Sequence, residues 1–408
     1  MSIVGRIVPI VLLLELAHPR AARPQAPSSP RQTSADEYTR YELLAPGSAR
    51  FRILYDVSAT AAGATHYCNS VRSGSTVSDI AVIDRMTGKP LPFDLVRGEG
   101  VLPCGIRSND AEHEYIRVRL PRSIGRNGEI RLRIEKTYED VASYSIDGDD
   151  LVFARSLGIT RNAIVLPAGW RLTSANYPSQ VRTEPDGRVM VSFINVGTAA
   201  VPYRVVAAAQ ETVPATPRSA RIAERARQDR EIVYFLRQPE SHTFDLYHDY
   251  TESRPGADRY LNIVRAGSSV SNPAAKILDT GEDLPTETLR GDAIVRAGID
   301  IGRPPTPETE VVVIRFAAVR AGESTRLRIC ETYTDSARYF IDGDELVWDR
   351  AFGRPANAVV LPEGWYLTGS SIPGVISETQ DGRMRLDFIN PRPDEIQVLI
   401  TARRRVRR

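Results

Sequence analysis

The chain has 408 residues, 42% hydrophobic and 25% charged, with 53 basic against 51 acidic side chains and a formal charge of +2. This is the composition of a globular protein long enough for two or three domains with cores of their own, and it excludes a disordered chain or a multispanning membrane protein. Five positive charges lie in Arg403, Arg404, Arg405, Arg407 and Arg408, so the body is slightly acidic and no nucleic-acid-binding surface is expected.

Arg6 precedes an apolar run, residues 7–14, that Glu15 ends. The run is too short to span a bilayer and matches the core of a signal peptide, assigned to residues 1–26, with a retained N-terminal anchor as the alternative. The protein is therefore expected to be exported: periplasmic, envelope-associated or secreted. Residues 18–36 are mostly Pro, Ala, Ser and Arg, and residues 27–40 are expected to form a disordered spacer.

The rest of the chain is an internal duplication. The segment from Arg131 to Asn195 returns from Arg326 to Asn390 without a gap, with 33 of 65 positions identical. Upstream, YCNSVRSGSTVS from Tyr67 pairs with YLNIVRAGSSVS from Tyr260, and TGKPLP from Thr87 with TGEDLP from Thr280, at a spacing of 193 rather than 195. The copies are placed at residues 41–209 and 234–402, each long enough to be a domain. Residues 210–233 between them are rich in Ala, Arg and Glu and read as a short helical linker; residues 403–408 read as a basic tail.

Within a copy the period is two. Phe51, Ile53, Tyr55 and Val57 alternate with polar residues, as do Phe244, Leu246, His248 and Tyr250. Turns such as IDGD, PDGR and QDGR break these runs. The expected fold is all-β: two homologous antiparallel β-sandwiches in tandem.

Little of the sequence points to catalysis. His242 and His248 lie too far apart along one extended segment to share a metal, and neither HExxH nor CxxC is present. Asp147 and Asp149, repeated as Asp342 and Asp344, are a candidate calcium pair, but Asp-Gly between strands is also the commonest hairpin turn. Trp170 and Trp365 occupy equivalent LPAGW and LPEGW motifs; they are candidate ligand-stacking platforms or core residues. Tyr67, Asn69 and Arg72, with Tyr260, Asn262 and Arg265, are the most retained polar set; alternation sends Tyr and Asn to one face and Arg to the other. Cys68 and Cys104 align with Leu261 and Ala297, so one copy has both cysteines and the other neither, the pattern of a disulfide. Cys330 aligns with Glu135 and is expected to be a solvent-facing lone thiol.

The stretch AVVLPEGWYLTGSSIPGVISETQDGRMRLDFIN, its partner from Ala163 and the preceding TYTD resemble the N-terminal β-domain of zinc aminopeptidases of the aminopeptidase N type. More broadly the chain resembles exported bacterial proteins carrying this repeat. The peptidase resemblance covers about 60 residues per copy and implies a β-sandwich. That family's catalytic motifs, HExxH with a downstream Glu and the GAMEN loop, have no counterpart, so the activity is not implied. The sequence thus leads to an exported, non-catalytic binding or scaffold protein with no cofactor, whose partner is a protein or glycan of the cell envelope. The alternative is a peptidase or glycosidase with acidic residues at an inter-domain cleft.

Overall fold

A computed structural model describes residues 29–210 and 222–405. The expected signal segment, residues 1–26, lies outside the described residues. In the first half the strands are β1 (Ser34–Leu43), β2 (Arg50–Ala59), β3 (His66–Ser70), β4 (Thr76–Asp84), β5 (Phe93–Arg97), β6 (Glu114–Arg119) and β7 (Ile130–Glu139). They continue as β8 (Tyr144–Asp147), β9 (Asp150–Leu157), β10 (Arg161–Val165), β11 (Trp170–Ala175), β12 (Gln180–Thr183), β13 (Val189–Ile194) and β14 (Val201–Ala209). One large sheet, ordered β12-β13-β10-β1-β2-β7-β4, faces two small ones, β11-β14-β9-β8 and β3-β6-β5. The alternation read from the sequence explains the packing: Phe51, Ile53, Tyr55 and Val57 of β2 and Leu132, Ile134 and Tyr138 of β7 point into one core, which Phe153, Tyr203 and Ile116 close from the small sheets.

The second half repeats this plan. Its strands are β15 (Glu231–Leu236), β16 (Thr243–Glu252), β17 (Arg259–Ile263), β18 (Ser269–Ile277), β19 (Asp283–Leu284), β20 (Thr286–Arg290), β21 (Glu310–Arg315) and β22 (Thr325–Thr334). The remainder are β23 (Tyr339–Asp342), β24 (Glu345–Phe352), β25 (Ala356–Val360), β26 (Trp365–Ser370), β27 (Val375–Glu378), β28 (Met384–Ile389) and β29 (Ile396–Arg404). The large sheet, β19-β18-β22-β16-β15-β25-β28-β27, has the same order as its partner with one added edge strand. Each half keeps its own sheets and its own core. One pair per domain is parallel, β1 with β10 and β15 with β25, against the wholly antiparallel expectation. These strands lie far apart in sequence, so no hairpin dictates their direction.

Three further expectations are corrected. The spacer of residues 27–40 is not disordered where it is described: Gln32 exchanges two hydrogen bonds with the backbone of Cys68, and Ser34 opens β1 in the middle of the large sheet. Its polar residues read as solvated because sequence does not reveal that they meet the other domain. Of the expected linker helix, residues 211–221 lie outside the described residues and residues 222–230 hold only a turn. The basic tail is partly strand: Arg403 pairs with Glu345 at 3.1 Å and Arg404 with Glu240, both within β29. Among the described residues no helix is long and apolar enough to cross a membrane.

Cys68 on β3 is bonded to Cys104, at the end of a 3-10 turn (Gly98–Cys104), with 5.9 Å between Cα atoms; both are buried around Val101. The second domain fills the same place with a one-turn helix, α1 (Asp292–Arg296), whose Ile294 packs among Leu289, Ile299, Val311 and Val313. An apolar cluster thus does in one repeat what a covalent bond does in the other. Thiol titration of the denatured, unreduced protein should find one thiol, the exposed Cys330. Replacing Cys68 and Cys104 with alanine should cost the first domain about 3–4 kcal/mol, from a loop of 36 residues. Three thiols before reduction, or an unchanged melting curve, would contradict this.

Candidate functional site

The two domains meet through equivalent surfaces. Gly88 and Gly281, 193 residues apart, sit in the turns after β4 and β18. A Cβ on Gly88 would lie 2.8 Å from the carbonyl oxygen of Gly322, and one on Gly281 would lie 3.7 Å from that of Asn127. Gly322 and Asn127 are themselves equivalent, 195 residues apart. Nearby, the amide of Ser324 donates to the Met86 carbonyl at 3.2 Å, and that of its counterpart Glu129 donates to the Leu278 carbonyl at 2.9 Å. Each repeat offers the same turn to the same loop of the other, the arrangement of a two-fold dimer written in one chain.

Near this axis stand the equivalent arginines Arg131 and Arg326. Arg131 is 1% exposed and grips Asp279 with Nε at 2.6 Å and Nη2 at 2.9 Å; Nη2 also donates to the Ser324 carbonyl at 2.9 Å. Arg326 instead binds Asp36 of β1, with Glu129 and Asp249 each 3.8 Å away. Residues 222–230 are tied to both domains. Glu224 accepts from Tyr38 Oη at 2.7 Å, Ala226 packs on Ala163, Val165 and Met190, and Arg225 donates to the carbonyl of Asn390 at 3.2 Å.

Two clefts flank the axis as counterparts. The larger encloses about 660 Å³ and the smaller about 430 Å³. Asp249 and Arg328 in the larger stand where Asp56 and Arg133 stand in the smaller; each pair is joined by two hydrogen bonds of 2.7 or 2.8 Å. Three further positions differ in one direction, while Glu323 of the smaller cleft stands against Gly128 of the larger. Glu129, Glu231 and Leu278 in the larger cleft replace Ser324, Tyr38 and Arg85 in the smaller, so one cleft became acidic and the other basic. Burial raises the carboxyls of Glu129 and Glu231 above their ordinary range, the latter helped by Asp249. Burial also raises Asp36, outweighing Arg161 and Arg326. Asp56 is held low despite its burial, by hydrogen bonds from Arg133 and by the charge of Arg85.

The residues singled out from sequence lie elsewhere. Asp147 pairs with Asp150, and Asp342 with Glu345, across two-residue hairpins whose Gly148 and Gly343 take positive φ; Asp149 and Asp344 are the exposed second residues of those turns. Among the described residues no three His, Cys, Asp or Glu side chains gather as a metal site. Trp365 is 3% exposed and donates Nε1 to Gln238 Oε1 at 3.0 Å, so it presents no face to a ligand; Trp170 is partly buried against the first core. His242 bonds the Tyr339 carbonyl at the start of β16, while His248 is buried beside Tyr260. The cleft residues were not singled out, although the duplicated RLRI motif carries Arg131 and Arg326 at outward positions of β7 and β22. A charged residue outside a sandwich reads as solvated until a second domain covers it.

Removing Asp279 leaves the Arg131 guanidinium buried without its carboxylate. Asp279→Ala should therefore destabilise by about 3–5 kcal/mol and split one calorimetric unfolding transition into two; an unsplit transition at the wild-type temperature would contradict this. His248, driven down to about 3 by burial and then by Arg354 and Arg230, is neutral when folded. The unfolded chain binds its proton near pH 6.5, so stability drains away as pH falls from there towards 3, by up to about 1.4 kcal/mol per pH unit. His248→Phe should flatten that slope in denaturant titrations at successive pH values, and an unchanged slope would refute the assignment.

No protein-family model and no curated protein matches the chain. Among solved structures, the M1 zinc metallopeptidase from Deinococcus radiodurans aligns with 12% identity and a TM-score of 0.28 over 42% of this chain and 41% of that one. An aminopeptidase N family protein from Idiomarina loihiensis aligns with 8% identity and a TM-score of 0.26, over 42% of this chain and 29% of that one. A candidate protease from Parabacteroides distasonis aligns over 91% of this chain and 92% of its own, with 10% identity and a TM-score of 0.26. The similarity to M1 peptidases is distant, and the chain spans about two fifths of the Deinococcus protein's length.

Proposed function

We propose that the chain is an exported, non-catalytic binding or scaffold protein whose two repeats hold one partner in the larger inter-domain cleft. The observation that carries this reading is the fixed docking of the repeats. Arg131, Arg326 and residues 222–230 bind both domains, so a ligand in the cleft meets the two repeats and the linker together. The polar groups of the cleft walls are carboxylates, guanidiniums and amides such as those of Asn195 and Asn357, beside apolar Leu278 and Phe388, which suits a peptide segment or a glycan of the cell envelope. The disulfide supports an oxidising compartment. Several cleft carboxylates are already engaged, Asp249 by Arg328 and Asp36 by Arg161 and Arg326, which favours binding over chemistry.

One observation favours the hydrolase reading. Glu129 is buried, its Oε1 accepts no hydrogen bond although Arg326 lies 3.8 Å away, and it is raised in pKa, as a general acid would be. The two readings separate on peptide and glycan arrays followed by product analysis. The binding reading expects retained, uncleaved ligands whose affinity falls at least about tenfold in Glu231→Arg, with the melting temperature kept. Released fragments that disappear in Glu129→Gln would replace it with the hydrolase. Binding unaffected by Glu231→Arg would remove the cleft from either reading.

A further inference from the structure

The inward row of β7 reads Ile130, Leu132, Ile134, Lys136 and Tyr138. A lysine therefore occupies a core position, 5% exposed. The chain has only three lysines among 53 basic residues, so an amine at this position runs against the strong general preference for arginine. Lys136 Nζ donates to Asn69 Oδ1 at 2.5 Å and lies 4.8 Å from the centre of the Tyr138 ring. The charge that acts on it is that of another cation, Arg155, itself paired with Asp140 at 3.1 Å. The amine borders a cavity of about 600 Å³ where β3 and β9 leave the large sheet uncovered; Tyr41, Tyr55, Asn69, Arg72 and Arg155 line it. Asn69 and Arg72 thus share a cavity, against the opposite faces expected from alternation, because β3 ends at Ser70.

The second repeat supplies an internal comparison. Glu331 replaces Lys136 there, and the amide is turned around: Asn262 Nδ2 donates to both Glu331 oxygens at 2.8 and 2.6 Å and also contacts Tyr333 Oη at 3.1 Å. Arg265, the counterpart of Arg72, is consumed by Glu395 at 3.2 Å. Glu395 corresponds to Ala200, as the surroundings of Gly353 and Gly158 show: a Cβ on the first would meet Glu395 and on the second Ala200. The second repeat thus carries two carboxylates of its own at this place. The first has Lys136 and Ala200 at those two positions and an arginine at the third, and its one carboxylate in the cavity is Glu37, where the second repeat has Arg230.

We propose that this cavity of the first domain is a binding site for a small molecule bearing an oxyanion, a carboxylate or a phosphate, held between Lys136 and Arg72. The tyrosine rings receive its body and the two cations its charge. Burial and Arg155 bring the Lys136 amine down to about 7, so the free site is half-protonated near neutrality. An anion beside it favours the ammonium form, and binding takes up a proton. The other titratable groups lining the cavity are Glu37 and Tyr41 on β1, Tyr55 on β2, Tyr138 on β7 and His113 at the rim. Glu37 is occupied by hydrogen bonds from Tyr55 Oη and Ser34 Oγ, both at 2.8 Å, and His113 by Ser70 Oγ at 2.7 Å. Lys136 is left as the group that answers the ligand.

The test is titration calorimetry of the full chain with benzoate and with inorganic phosphate at pH 6.5 and 8.5. One site per chain is expected for at least one probe, with affinity lower at pH 8.5 by about tenfold or more. Preference for one probe identifies the oxyanion. Lys136→Met should weaken binding at least about tenfold at pH 6.5, and Arg72→Gln less. Glu231→Arg, in the inter-domain cleft, should leave it unchanged. Because the chain has three lysines, carbon-13 labelling of lysine gives three signals in the unmutated protein. The one that Lys136→Arg removes should titrate near neutrality and move upward when the probe is added. No saturable binding of either probe, equal affinity in Lys136→Met, or a Lys136 signal that ignores the probe would each overturn the proposal.

Discussion

The arrangement of the two domains rests on the burial of Arg131 against Asp279. A guanidinium removed from water is costly unless its donors are met, and here Asp279 and Ser324 of the other domain meet them. That requirement converts two sandwiches with separate cores into one docked unit. Alternative arrangements leave a cation stranded, so the pair gives the interface its specificity even where its net energy is small. The glycines beside it serve the same end. At Gly88 a side chain would collide with the facing backbone, and the turn keeps the close approach that brings the arginines to the axis.

Duplication followed by docking explains why the molecule has paired features of opposite character. A two-fold dimer of identical chains has two identical clefts. Fusion frees each position to change alone, and the clefts have become acidic on one side and basic on the other through Glu129, Glu231 and Leu278 against Ser324, Tyr38 and Arg85. The interiors diverged in the same manner. Lys136 and Glu331 share a position, both shift to about 7 by burial, and carry opposite charges in their ionised forms. Cys68–Cys104 and the Ile294 cluster are a third case, where equivalent segments are fastened by different chemistry.

The scaffold itself tolerates these exchanges because its strands are specified redundantly. Tyr41, Phe51, Phe153 and Tyr138 in one domain, and Tyr234, Phe244, Trp348 and Tyr333 in the other, form the same aromatic nests. Arg155 and Arg350 lie over those rings, each paired with the aspartate, Asp140 or Asp335, that opens the turn before the hairpin. Large apolar area holds the sheets, and polar positions at their seams are left free to vary.

The sequence by itself determined what depends on period and on self-similarity. Alternation at Phe51, Ile53 and Tyr55 set the strands and their inner face, Asp-Gly pairs set the hairpins at Gly148 and Gly343, and the repeat set the two halves. These are local or comparative properties, readable without knowing what lies across the chain. Lys136 follows Leu132 and Ile134 in the inward row of its strand, but it was not singled out from the sequence. Only the tertiary structure decided the fate of polar residues at the ends of the strands. Asp36 and Arg161 look like solvated side chains of a spacer and a strand edge, yet they are buried because another domain and residues 222–230 cover them. Charge in a sequence marks affinity for water or for an opposite charge, and the chain alone does not say which of the two is nearby.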